Sequence, residues 1–201
     1  MSIQSDVQVG FIADENAADP DRLVTAARPD TSATMAETTF LGGGARNVTV
    51  TTTGTGDEDK TCTITGTDVF GNAITEVITS TGSAEAVAGA KLFLTVSAVE
   101  CSAKYAANIT VGSGSECASA VSGGNRTRMK GYSIVSAGTA GLVDFYNGTP
   151  EDGTIIFKAQ TIGTDNTTID NTIPDEGILF GSGLTVGYTV ATVVLANIFF
   201  A

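Results

Sequence analysis

Apolar and polar residues alternate with a period of two over much of this chain. Asn47 to Thr53 reads NVTVTTT and Lys60 to Thr67 reads KTCTITGT, with Thr at nearly every second place. Successive side chains of a strand point to opposite faces, so this period predicts half-buried strands. Val, Ile and Thr suit them, because branching at Cβ favours extended backbone. Ala73 to Ser80 (AITEVITS) resumes the pattern after Asp68–Val69–Phe70–Gly71–Asn72. The Asp, Gly and Asn of that stretch predict a turn with Gly71 at positive φ, and hence an antiparallel hairpin. Lys91 to Val99 (KLFLTVSAV) is the most apolar strand of this half and is expected to be central. Asn108 to Val111 closes the set.

The same reading continues to the far end. Met129 to Ala137, Leu142 to Tyr146 and Thr154 to Ala159 are predicted strands, with a tight turn at Asn147–Gly148. Thr161 to Thr172 reads as a polar loop. Ile178–Phe180 and Leu184 to Val186 lead to a closing strand, Thr189 to Phe200. Ser113 to Asn125, rich in Ser, Gly and Ala, reads as the domain boundary. Residues 1–44 differ in character and hold Pro20 and Pro29, two of the four prolines. Asp19–Pro20 is expected to cap a short helix over Asp21 to Ala27, and Gly42–Gly43–Gly44 to act as a hinge. No Gly-Lys-Ser/Thr follows those glycines, which disfavours a phosphate loop. The predicted fold is all-β: two small antiparallel sandwich- or barrel-like domains at 45–121 and 128–201. A linker at 122–127 joins them, and an extended N-terminal arm, 1–44, precedes them.

Composition narrows the function. Charged residues are 16% of the chain, below the roughly 25% of ordinary globular proteins, so Thr, Ser, Asn and Gly or a partner must cover its surface. The net charge of −12 repels nucleic acid and anionic lipid, so neither is expected as a partner. Arg126, Arg128 and Lys130 form the one basic cluster, read as a solvated linker or a dock for an acidic surface. There is no His, which removes the commonest acid–base and metal-ligating side chain. No enzyme activity and no cofactor are therefore expected. Cys62, Cys101 and Cys117 lack metal-ligand spacing and read as buried thiols made in a reducing compartment, with a Cys101–Cys117 bridge as the alternative. The opening MSIQSDVQVGF lacks a basic stretch followed by an apolar core, so no secretory signal is expected. Residues 177–201 are uncharged, but their Gly, Ser, Thr and Asn fit paired strands better than a bilayer helix.

Two acidic stretches offer oxygens to a hard cation, Asp57–Glu58–Asp59 and Asp165, Asn166, Asp170 and Asn171. Neither has the spacing of a calcium loop, and both read as solvated loops. Asp144, Glu151 and Asp152 supply carboxylates for glycoside hydrolysis on paper. The absence of Trp removes the best aromatic platform for a sugar.

The stretch Gly66–Thr67–Asp68–Val69–Phe70–Gly71–Asn72–Ala73–Ile74–Thr75–Glu76 resembles a hairpin found in virion proteins of tailed bacteriophages. Arg128 and Gly131 to Gly141 (GYSIVSAGTAG), with Pro174 to Phe180 (PDEGILF) and Gly183–Leu184, are similar to a small β-domain in the same setting. The resemblance covers most of residues 60–201 and rests on turn and core patterns, not on catalytic signatures. It implies a virion protein. The leading expectation is a capsid decoration (cement) protein on the outer shell, bound to the major capsid protein and to itself as a trimer, its arm lying across neighbouring subunits. The alternative is a tail or fibre component, and a carbohydrate-active tail enzyme is a third reading. Tyr188, Ile198, Phe199 and Phe200 are the residues expected in core or intersubunit packing, since an exposed strand of this kind aggregates.

Overall fold

The computed structural model describes residues 7–12 and 17–201, and these are all-β, with fifteen strands and no helix. In chain order they are β1 (Gln8–Ile12), β2 (Val24–Ala27), β3 (Ala45–Thr52), β4 (Glu58–Thr67) and β5 (Ala73–Thr81). Then come β6 (Ala86–Phe93), β7 (Thr95–Cys101), β8 (Ile109–Ser122), β9 (Thr127–Ser136) and β10 (Leu142–Asn147). The last are β11 (Thr154–Gln160), β12 (Thr167–Thr172), β13 (Ile178–Phe180), β14 (Leu184–Thr189) and β15 (Val193–Phe200). The chain gathers into two units: Asn16–Cys117, and Ala118–Ala201 together with the segment that carries β1.

The Asn16–Cys117 unit is sandwich-like. One sheet has the order β5-β4-β7, and the other runs β8-β3-β6 with β2 also on β8. Val48 and Val50 from β3 and Ile109 and Val111 from β8 share a buried cluster with Cys62, Ile64, Ile78, Val96 and Val99 from the other sheet. The hairpin at Asp68–Asn72 forms as its residues predict. Asp68 accepts the N–H groups of Phe70 and Asn72, both at 2.8 Å, and Gly71 sits at φ 86°.

Two expectations for this unit need correction. Asp21 to Ala27 is not a helix: Leu23 N–H donates to Val111 O at 2.9 Å, and Val24–Ala27 is a strand on β8. β-branched Val24, buried and paired with Val111, gains more from pairing and burial than a two-turn helix offers. Residues 17–44 are not an arm apart from the fold, because Leu23, Val24 and Phe40 are buried in the core. Residues 31–39 run along β7, with bridges Ser32↔Glu100 and Thr39↔Thr95. The chain divides within Ser113 to Asn125, between Cys117 and Ala118, but without a break in the strand, because β8 continues to Ser122. Its small residues answer to close approach: a Cβ on Gly112 would overlap Asp19 O, and one on Gly114 the Asn47 side chain.

The expected single strand Lys91–Val99 is divided at Leu94. β6 pairs with β3, whereas β7 pairs with β4 in the facing sheet. The chain turns a corner between sheets, and Leu94 N–H donates to Thr67 O at 2.7 Å.

The Ala118–Ala201 unit is likewise built of facing sheets. One has the order β1-β15-β9-β12, with β13 paired to β9 at Thr127–Met129; in the other, β14 lies between β10 and β8 and β11 forms the end. Tyr132 on β9 meets Phe145 on β10 and Phe157 on β11, with ring centroids 5.5–5.9 Å apart. The predicted polar loop is half strand, since β12 takes the edge of β9. The turn after Asn147 is a longer loop that closes at Asn147↔Thr154. The closing strand begins only at Val193, after a turn in which Thr192 N–H and Oγ1 both donate to Thr189 O.

Candidate functional site

Two places in the molecule hold residues whose arrangement goes beyond core packing. The first is the outer face of the sheet β1-β15-β9-β12. The register sets Val9 beside Phe199 and Phe199 beside Gly131; Phe11 stands beside Asn197, and Asn197 beside Ser133. Leu195 stands beside Val135, which faces Thr168 of β12. Alternation places these side chains on one face, with Gly10, Ile12, Ala196, Ile198, Tyr132 and Ile134 on the other. The inner set packs: Ile12, Ala196, Ile198, Tyr132 and Ile134 are all buried. A Cβ on Gly10 would come within 2.7 Å of Val121, so β1 sits tightly on its unit.

The outer set stays open. Phe11 is 66% exposed and Val9 55%. Val9, Phe11, Leu195 and Phe199 surround Asn197 at the β1–β15 end of the face, and Thr168, Asp170 and Thr172 lie at the β12 end. Among the described residues β1 is an edge strand. Val7 to Ile12 hold no charge and no Pro, and pairing with β15 runs without a bulge. Among the described residues neither charge, Pro nor a bulge protects this edge.

The residues singled out from the sequence divide around this sheet. Tyr188 is 4% exposed and Ile198 is fully buried, so both belong to the unit's core. Phe199 is half-buried on the outer face. Phe200 is half-buried and lines a cleft with Gln8, Val121, Arg126 and Thr127. Arg128 and Lys130 project from β9 to the 175–176 turn: Arg128 Nη2 lies 3.0 Å from Glu176 Oε2, and Lys130 Nζ donates to Asp175 O.

The second place is a buried polar cluster in the Asn16–Cys117 unit. Asp57, whose side chain is sealed from solvent, accepts Lys60 Nζ at 2.7 Å and the N–H groups of Ala106 and Ala107 at 2.6 and 3.1 Å. Burial pushes its carboxyl up, but Lys60 and the two amides outweigh it and hold Asp57 below the usual carboxylate range. Lys60 also donates to Lys104 O at 2.6 Å and lies 5.4 Å from the centre of the Tyr105 ring. Tyr105 Oη is 3.3 Å from Cys62 Sγ, and Cys62 Sγ is 3.9 Å from Cys101 Sγ. Burial, then the contact with Cys62, pushes the Tyr105 hydroxyl up. The contact with Cys101 lowers the Cys62 thiol against the opposing effect of burial, with Tyr105 adding to the lowering. Cys101 is pushed up by its hydrogen-bonding contact with Cys62, then by burial and by the charge on Cys62.

This cluster straps the 102–108 loop to the start of β4. It also disposes of Asp57 as a cation ligand, because Lys60 and two amides already occupy its oxygens. The second acidic stretch is spread out: Asp170 and Asn171 are strand residues opposite Ser133 and Tyr132, and Asn166 turns before them with its N–H on Ser136 O. Among the described residues no group of three or more His, Cys, Asp or Glu is gathered to hold a metal ion. Asp144 is paired at 3.0 Å with Lys158 across β10–β11, three positions from the hairpin end and so about 10 Å along the strand from the loop of Glu151 and Asp152.

Sequence reasoning missed Arg46, which is 1% exposed and donates from Nη1 to Gly114 O at 3.2 Å. It also missed the Lys60–Tyr105–Cys62 contacts. The one available signal was the alternation of β4, which puts Lys60, Cys62 and Ile64 on a single face. No protein-family model, curated protein or solved structure matches the chain.

Proposed function

We propose that this chain is a structural protein of a tailed-phage virion, a decoration protein that binds the outer capsid shell and associates with copies of itself. The observation that carries the reading is the bare edge at β1, where Val7, Val9 and Phe11 are exposed on an uncharged strand. Copies of a chain with net charge −12 repel one another. An uncharged apolar strand is where that repulsion is least and where burial gains most. A second copy is therefore the occupant we assign to β1 and the face beside Phe199. Residues 17–44 are packed within their own unit, so the joining role expected of the arm passes to β1. The low fraction of charged residues and the Thr-rich strands fit a surface partly covered by neighbouring subunits, and the turn motifs at Gly66–Glu76 and Gly131–Gly141 support the virion setting by resemblance.

The test is copy number per particle, by quantitative mass spectrometry of purified virions against the major capsid protein. Hundreds of copies are expected for a shell protein. About a dozen would move the protein to the tail or fibre, in keeping with small rotational assemblies there. Absence from particles would overturn the virion reading.

A further inference from the structure

We propose that Cys62 and Cys101 are a disulfide site, closed across β4 and β7 when the protein meets an oxidising environment. The observations are geometric. Cys62 and Cys101 are direct partners in the antiparallel register, in which Cα atoms stand about 4.5–5.5 Å apart, within the range that a disulfide spans. Their sulfurs are 3.9 Å apart, with both side chains inside the unit. Cys117 lies apart from the pair, its Sγ turned to Ser115 O at 3.6 Å. Buried reduced thiols were the first reading of the sequence and a Cys101–Cys117 bridge its alternative; the register instead gives Cys101 a partner 39 positions away.

The two thiols have different parts in closure. Cys101 ends β7 and is 7% exposed, whereas Cys62 is fully buried. A small disulfide such as oxidised glutathione reaches Cys101 first. Cys62 and burial oppose the ionisation of Cys101, so this step is the slow one: Cys101 gives up its proton, its sulfur attacks, a mixed disulfide forms, and one glutathione leaves with that proton. Cys62, for which the Tyr105 hydroxyl favours the thiolate, then attacks the Cys101 sulfur and expels the second glutathione, which takes up the Cys62 proton. Two protein thiols are oxidised, and one small disulfide is reduced to two thiols. The product ties β7 to the sheet centre beside the Asp57–Lys60 strap.

The experiment treats the full chain with oxidised glutathione, alkylates it after denaturation and maps the peptides by mass spectrometry. The expected result is a mass lower by about 2 Da, a Cys62–Cys101 cross-linked peptide, and alkylation of Cys117 alone. Three alkylated cysteines after prolonged oxidation, or a bridge that includes Cys117, would overturn the proposal. A Cys117→Ser variant is expected to close the same bridge, and its failure to do so would equally count against the assignment.

Discussion

Phe93 and Thr95 are two positions apart, yet Phe93 pairs with Arg46 in one sheet and Thr95 with Thr67 in the facing sheet. The corner between them is packed against Gly66. A Cβ at that position would overlap Thr95 O and lie 3.0 Å from the Phe93 ring. The obstacle is backbone, which cannot step aside as a flexible side chain can. Gly66→Ala is therefore expected to cost about 2–4 kcal/mol, read as a lowered midpoint in denaturant with an unchanged slope. Full retention of stability would show that the corner has room to shift.

Asp57 makes the Asn16–Cys117 unit sensitive to acid. Its carboxyl is held below the ordinary value of 3.8 in the folded chain. A group with a depressed folded pKa contributes stability that is complete above its unfolded value and lost as pH falls through the folded one. Thermal denaturation is expected to show this loss between about pH 5 and pH 2. Asp57→Asn should flatten that slope. At neutral pH it should cost about 2 kcal/mol or more, because its amide NH₂ faces donors that need an acceptor. A variant with the wild-type acid profile would mean that other carboxylates govern it.

Phe11 tests the edge strand without touching the core, since it is 66% exposed in a single copy. Phe11→Asp is expected to leave the melting of the single chain within about 0.5 kcal/mol. It should shift sedimentation at tens of micromolar from an oligomer to a monomer. A wild-type chain that sediments as a monomer there, or a variant that still associates, would remove β1 as the self-contact.

Much of the local structure was legible before any fold was known. The alternation of NVTVTTT, KTCTITGT and AITEVITS marked β3, β4 and β5 to within two residues at each end. The Asp68–Asn72 turn was legible because its contacts are short-range: the acceptor, the donors and the positive-φ Gly71 lie within five consecutive residues. The errors have a common cause. Gly114 belongs to the stretch read as a domain boundary, yet it lies inside β8 and, like Gly112, is small because of what presses on it, the Asn47 side chain and Asp19 O respectively. Val24 and Thr25 followed an apparent cap, and β8 had already claimed them as a strand.

What the sequence determined by itself is the all-β class, the turn chemistry and the inner and outer positions of most strands, since these follow from alternation and from residues a few places apart. Tertiary structure decided which strands meet. It placed β1 at one edge of the sheet built by β15 and β9, turned the chain at Leu94, drew Asp57, Lys60 and Tyr105 together, and set Cys62 opposite Cys101. Those outcomes depend on register between distant segments. A period-two pattern states which face a side chain takes and carries no information about which partner lies across from it.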